Sequence, residues 1–234
     1  MKTISNMKLI KRNKTISQII LYTSITVLAI GLILSLSDSS PYQIGYTYLI
    51  LVPGYILVQL SIYFGNKWGK SPRPDEIINS SLKGLDDKYS LYHYSVGVPH
   101  LLLGPPGMWI IKPYQQAGVI KFDEKKGKFI QKGGANIFSK LFGQESIGDI
   151  LHDSRLQKKD LQKYFQKNNI PLDTEPEIVN VFINEKAVID VQQAPEFIVP
   201  ANKLKDFFRR HAKTKAINDL NVKIKEIFPN EDII

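Results

Sequence analysis

Residues 99–120 read PHLLLGPPGMWIIKPYQQAGVI. Two apolar runs, at 100–103 and 108–111, flank Gly104-Pro105-Pro106-Gly107. Proline fixes φ and glycine adopts dihedrals closed to other residues, so these four predict a turn joining two strands. Continuous rather than alternating apolarity predicts strands buried on both faces, in the middle of a sheet covered by helices. Lys112-Pro113-Tyr114, then Gly118, then a further strand-like run at 119–122 follow at once.

On either side the pattern alternates helix and strand. Residues 75–85 predict a short helix with Asp75 and Glu76 in its first turn, where carboxylates favour the helix dipole. Residues 89–98, rich in Tyr, Leu and Val, predict a strand. Residues 119–122 and 128–131 predict a hairpin around the charged turn Asp123–Gly127. An irregular segment is expected over 133–148, and a soluble amphipathic helix over 149–167, stopped by Asn168-Asn169-Ile170-Pro171. Strands are expected at 177–184 and 188–191, and terminal helices at 203–212 and 214–228.

The N-terminal third is of another kind. No charged residue interrupts 15–37 or 39–66. Each run exceeds the roughly 20 residues that an α-helix needs to cross a bilayer core. Two transmembrane helices are predicted, about 16–36 and 42–64, joined by a loop too short for anything but a turn. Ser35-Leu36-Ser37 offers the small residues of a cleavage site. The run is nevertheless longer than a signal-peptide core of about 7–15 residues, and a second span follows directly. Tyr42, Tyr46 and Tyr48 at one end, with Tyr63 and Trp68 at the other, suit the membrane interfaces. Pro53-Gly54 is expected to bend the second helix, and Gly31, Gly45 and Gly54 to permit close packing.

Charge sharpens this division. The net charge is +9. Lys2, Lys8, Lys11, Arg12 and Lys14 precede the first span, and Lys67, Lys70 and Arg73 follow the second, with Asp38 the one acid among them. These segments therefore carry +7, leaving +2 for residues 74–234. Cations outside both spans predict that both termini lie in the cytoplasm. They also disfavour a broad phosphate-binding face on the domain. Cysteine is absent, which excludes disulfides, thiol nucleophiles and thiolate zinc sites. The chain divides into a basic N-terminus (1–14), a helical hairpin (15–66), a linker (67–73), an α/β domain (74–210) and a C-terminal helical extension (211–234).

The order of strand, Gly-Pro-x-Gly turn, strand, polar triplet, glycine and strand resembles the nuclease-related domain (NERD) family of the PD-(D/E)XK nuclease-like superfamily. Asp75-Glu76 with Leu82 and Leu85 resembles its opening helix, and Asp153-Ser154-Arg155-Leu156-Gln157 its glutamine-bearing helix. The resemblance covers about 74–210. It implies a central sheet flanked by helices, with site positions at Glu76, Pro99, His100, Lys112 and Tyr114, and Gln157 as a further candidate. At these positions the chain departs from the family. Pro99 stands where an Asp is expected, and Lys112-Pro113-Tyr114 where the family has Glu-x-Lys.

In such nucleases carboxylates hold a Mg²⁺ or Mn²⁺ ion that polarises the phosphate and activates water. Lys112 places a cation where a ligand belongs, and Pro99 offers neither carboxylate nor N–H. The resemblance therefore implies a silent domain, without a cofactor, that binds a protein or nucleic-acid partner at the membrane. Two alternatives stand beside it. One is a metal-dependent nuclease whose carboxylate has moved to Asp123, Glu124 or Asp153. The other is a structural subunit of a membrane complex. His100, at a strand start, is expected to hydrogen-bond nearby backbone; His93, His152 and His211 have no metal-ligand spacing. Lys158-Lys159 and Arg209-Arg210 are expected on solvated helix faces. No phosphate-binding loop, HExxH, EF-hand loop or GxSxG elbow occurs.

Overall fold

The computed structural model describes residues 1–37, 41–134, 147–170, 175–191, 194–214, 224–225 and 227–234. Its contacts divide into two units. One holds Met1–Lys8, Pro74–Asn136 and Ser146–Ile234; the other is built on Leu9–Arg73.

The first unit is a mixed α/β domain. Its strands are β1 (Lys2–Ser5), β2 (Ser90–His93), β3 (His100–Gly104), β4 (Gly107–Tyr114), β5 (Gly118–Asp123), β6 (Lys128–Lys132), β7 (Glu177–Phe182), β8 (Ala187–Ile189) and β9 (Phe197–Pro200). Six form one sheet in the order β1-β2-β3-β4-β7-β9, and three form a smaller sheet, β6-β5-β8. The turn at 104–107 closes an antiparallel β3–β4 pair with Leu102 opposite Trp109. Gly107 at φ +105° takes the left-handed conformation the turn requires. Both strands lie inside the large sheet, and Leu101, Leu102, Leu103, Trp109, Ile110 and Ile111 are fully buried. The central position expected from continuous apolarity is what the fold contains.

Helices α3 (Pro74–Ser81), α4 (Ile150–Lys167) and α5 (Leu204–Thr214) cover the sheet. Side-chain alternation sorts β4 between two layers. Trp109 and Ile111 join Ile78 of α3, Leu82 in the turn after it, and Phe207 and Phe208 of α5 in one cluster. Met108 and Ile110 join Leu161 and Phe165 of α4 in the other. Asp149 caps α4, its carboxylate accepting the His152 N–H at 3.0 Å.

Several boundaries differ from the sequence reading. The strand expected at 89–98 stops at His93, because Tyr94 adopts φ +56° and its N–H closes a turn onto the Pro99 carbonyl at 2.8 Å. Helix α3 ends at Ser81, and turns carry the chain to Gly84. Arg209 is not merely solvated: it donates to the Gly84 carbonyl. Two strands were not anticipated. One is β9. The other is β1, four residues of the basic N-terminus that pair in parallel with β2 and place Ile4 in the core. Most of the irregular segment (135–146) and of the last expected helix (215–223 and 226) falls outside the described residues, although Ile224 and Phe228 are buried against Tyr92 and Phe165.

The second unit contains two long apolar helices, α1 (Met7–Ser37) and α2 (Pro41–Phe64), with a π-helical turn at Gly65–Gly69 after α2. Both are long and apolar enough to cross a membrane. Helix α1 starts nine residues before the expected span, so Lys8, Lys11, Arg12 and Lys14 ride on its first turns. Helix α2 continues through Pro53. Burial within the pair follows one seam of seven-residue spacing. Ile10, Ser17, Ser24 and Gly31 line it on α1; Thr47, Gly54 and Ser61 line it on α2, and Trp68 extends it into the π turn. A Cβ on Gly31 would stand 2.9 Å from Leu51 Cδ2, and one on Gly54 2.9 Å from Leu28 Cδ2. Each glycine thus seats a leucine of the facing helix. Gly45, expected to help, has open space around it. The remaining surfaces of both helices expose Leu, Ile, Val and Tyr. The side chains of Tyr42 and Tyr46 lie outside the described residues.

Candidate functional site

The end of β4 carries the chemistry. Lys112 and Tyr114 follow Met108 and Ile110 on the face turned to α4. Lys112 Nζ donates to Asp153 Oδ2 at 2.5 Å, linking β4 to the first turn of α4. The pair is mostly screened from water, with side chains 22% and 35% exposed. Tyr114 is buried, stacks on Phe182 of β7, and directs its hydroxyl to the same Asp153 oxygen at 3.4 Å. Lys112 Nζ also lies 5.2 Å from the Tyr114 ring centroid. The ammonium is therefore held between a carboxylate and an aromatic face. Burial raises the Tyr114 phenol far above its usual range, and Asp153, Glu196 and Asp149 raise it further. Tyr114 stays a neutral donor, closed to phenolate chemistry.

Beside Lys112 in the parallel β4–β7 register sits Asn180, wholly buried. Its Nδ2 reaches Ser154 Oγ and the Phe197 carbonyl, both at a long 3.5 Å, while Oδ1 has no partner among the described residues. Ser154 is also wholly buried and hydrogen-bonds the Glu196 carboxylate, just ahead of β9. Burial raises the pKa of Glu196; Lys158, the Ser154 bond and Arg155 pull against it. A polar patch of Lys112, Tyr114, Asp153, Ser154, Asn180 and Glu196 thus gathers where the parallel strands β4 and β7 end, the side on which α/β sheets bind ligands.

A second cluster occupies the other layer. His93 and His100 are cross-strand partners on β2 and β3, both buried, with their Nδ1 atoms 2.7 Å apart. His93 Nε2 lies 3.2 Å from Asn79 Oδ1 on α3, and the Thr3 hydroxyl reaches that oxygen at 3.4 Å. An amide oxygen only accepts, so His93 carries a proton on Nε2, and one of the two Nδ1 atoms donates to the other. Two nitrogens this close cannot both be protonated, so the pair holds at most one positive charge. His100, expected to rest on backbone, has a side-chain partner that sequence spacing does not disclose.

The positions implied by the resemblance are therefore divided. Continuing the β3–β4 register by two residues brings Pro99 level with Lys112, with Tyr114 on the same face. His100 faces the opposite layer with His93. Glu76 is on α3, lining a shallow groove of about 500 Å³ with Thr3, Asn79 and Lys83. Gln157 lies one turn beyond Asp153 on α4. Among the candidate carboxylates, Asp153 stands beside Lys112. Asp123 instead closes the β5–β6 turn, accepting the Lys126 N–H, and Glu124 is exposed there.

This arrangement does not fit a divalent cation. Lys112 already neutralises Asp153, Tyr114 is a neutral phenol, and the Pro99 carbonyl is engaged by Tyr94. No group of three or more His, Asp or Glu poised to share an ion occurs among the described residues. Asn180, Ser154 and Glu196 were missed in the sequence. Asn180 alone left a signal, as the polar residue that interrupts the apolar run following Glu177 in the strand EIVNVF.

The chain matches no family model, no curated protein and no solved structure.

Proposed function

We propose that this protein is held in a membrane by the α1–α2 hairpin, with both termini and the α/β domain in the cytoplasm. On this reading the domain is a NERD-like fold that binds a protein or nucleic-acid partner without cleaving it. The single observation that carries the non-catalytic part is the Lys112–Asp153 ion pair. An ammonium fixed on the Asp153 carboxylate at the end of β4 repels a divalent ion and occupies the acid that would otherwise be its ligand. The topology is supported by β1 and β2. They flank the two helices in sequence and hydrogen-bond in one sheet, which a bilayer cannot divide. An even number of crossings therefore separates them, and the cations on α1 and after α2 set the cytoplasmic side.

The rival nuclease reading keeps one observation in its favour: Asp153, named as a relocated carboxylate, does stand at the site. The purified full chain in lipid nanodiscs, given duplex DNA, single-stranded DNA or RNA with Mg²⁺ or Mn²⁺, decides between them. No cleavage is expected. Metal-dependent cleavage abolished by Asp153→Asn overturns the non-catalytic reading. Because the chain has no cysteine, single cysteines at 2, 39 and 231 report topology. An impermeant maleimide outside intact cells should label position 39 alone.

A further inference from the structure

Resting on the membrane reading above, we infer that one face of α2 is the contact surface for a second copy of this chain. Gly45, Tyr48, Val52, Tyr55 and Tyr63 fall on one stripe of the helix at its 3.6-residue period. Tyr48, Val52, Tyr55 and Tyr63 are 64%, 57%, 45% and 47% exposed. The stripe lies away from the seam through Gly54 and Ser61, where α1 already packs.

Tyr55 separates this face from an ordinary lipid-facing one. It stands nine residues before the end of α2, about 13 Å along the axis. Side chains on a helix lean toward its N-terminus, so the phenol points deeper, toward the middle of a core about 30 Å thick. Tyr48 and Tyr63 are near enough to the helix ends to meet interfacial water; Tyr55 is not. Its hydroxyl makes no hydrogen bond among the described residues. Hydrocarbon offers none either, and an unsatisfied polar group there is costly.

A second copy supplies what is missing. Copies inserted in the same orientation meet about a two-fold axis along the membrane normal, which sets each residue of α2 against its own counterpart. A phenol both donates and accepts, so Tyr55 is complementary to itself. Gly45 is open, with nothing within 4 Å of where a Cβ would stand, and Val52 is short. Both let the helices approach as small residues do in membrane interfaces.

The full chain bearing Val52→Cys or Leu60→Cys, oxidised in native membranes, tests the face. Position 60 is exposed but lies off the stripe. At least five-fold more disulfide-linked homodimer is expected at 52 than at 60. Energy transfer between labelled copies diluted into liposomes should show Tyr55→Phe weakening association about three-fold, the scale of one intramembrane hydrogen bond. Equal cross-linking at both positions, adducts of residue 52 with other proteins alone, or unchanged association of Tyr55→Phe overturns the homodimer. Alkaline carbonate extraction distinguishes the underlying failure: a chain released from the membrane overturns the membrane reading itself, whereas a retained but monomeric chain overturns only this contact.

Discussion

Lys112 on β4 and Asp153 on α4 are 41 residues apart in sequence, yet their side chains meet at 2.5 Å. The contact ties the end of a central strand to the first turn of the helix that covers it. Removing one partner leaves the other charge half-buried and alone, which costs more than removing both. Lys112→Met and Asp153→Asn are each expected to destabilise the full chain by about 1–2 kcal/mol, given partial exposure, and the double variant by less than the sum. Denaturation midpoints for the four members of the cycle measure the coupling; additive effects would show that the pair contributes nothing.

Reversing the charge at 112 should create what the pair excludes. Lys112→Glu sets two carboxylates side by side, which lowers stability and invites a divalent cation. Millimolar Mn²⁺ is expected to raise the melting temperature of Lys112→Glu but not of the wild type. Adding Asp153→Asn should remove the Mn²⁺ response, whereas Glu76→Ala should leave it, since Glu76 is on the helix of the opposite layer.

Glu196 gives the pH dependence its sign. Its folded carboxyl titrates above the unfolded value of 4.5, chiefly through burial. Between those two values the native state holds more protons than the unfolded state, so this group's contribution falls as pH rises. Glu196→Gln removes the loss while keeping a partner for Ser154. The variant is expected to match wild type near pH 4 and to exceed it at pH 7 in chemical denaturation. A wild-type advantage at pH 7 would contradict the burial of this carboxyl.

Leu102 and Ile110 are wholly buried on opposite faces of the central hairpin. Leu102→Ala and Ile110→Ala should each cost about 2–5 kcal/mol, through lost transfer energy and the cavity left behind. Denaturation of the full chain in detergent, followed by tryptophan fluorescence, reads the change.

Ile4 is the sharper case, because it precedes both long helices yet is only 1% exposed within the α4-side core. Ile4→Ala should destabilise the α/β domain by about 2–4 kcal/mol. A fragment beginning at residue 74 lacks β1 altogether and should expose the edge of β2, with a lower melting temperature and a tendency to associate. Equal stability of the fragment and the full chain would show that β1 is dispensable.

The sequence by itself determined whatever local pattern enforces. Uncharged runs longer than a bilayer is thick gave two long apolar helices, and two buried runs around Gly-Pro-Pro-Gly gave the central hairpin. The amphipathic period of 149–167, with an Asp at its start, gave α4 and its cap. Tertiary structure decided the rest. Lys2–Ser5 has no apolar period and becomes a strand only because β2 offers its edge. His93 and His100 lie seven residues apart and meet because a turn at 94–99 sets them opposite one another. Lys112 finds Asp153, and Asn180 comes level with Lys112, through a parallel pairing whose connection includes α4. Periodicity is a property of neighbours along the chain. Charge pairing, proton sharing and edge-strand capture depend on distances that exist only once the layers have packed.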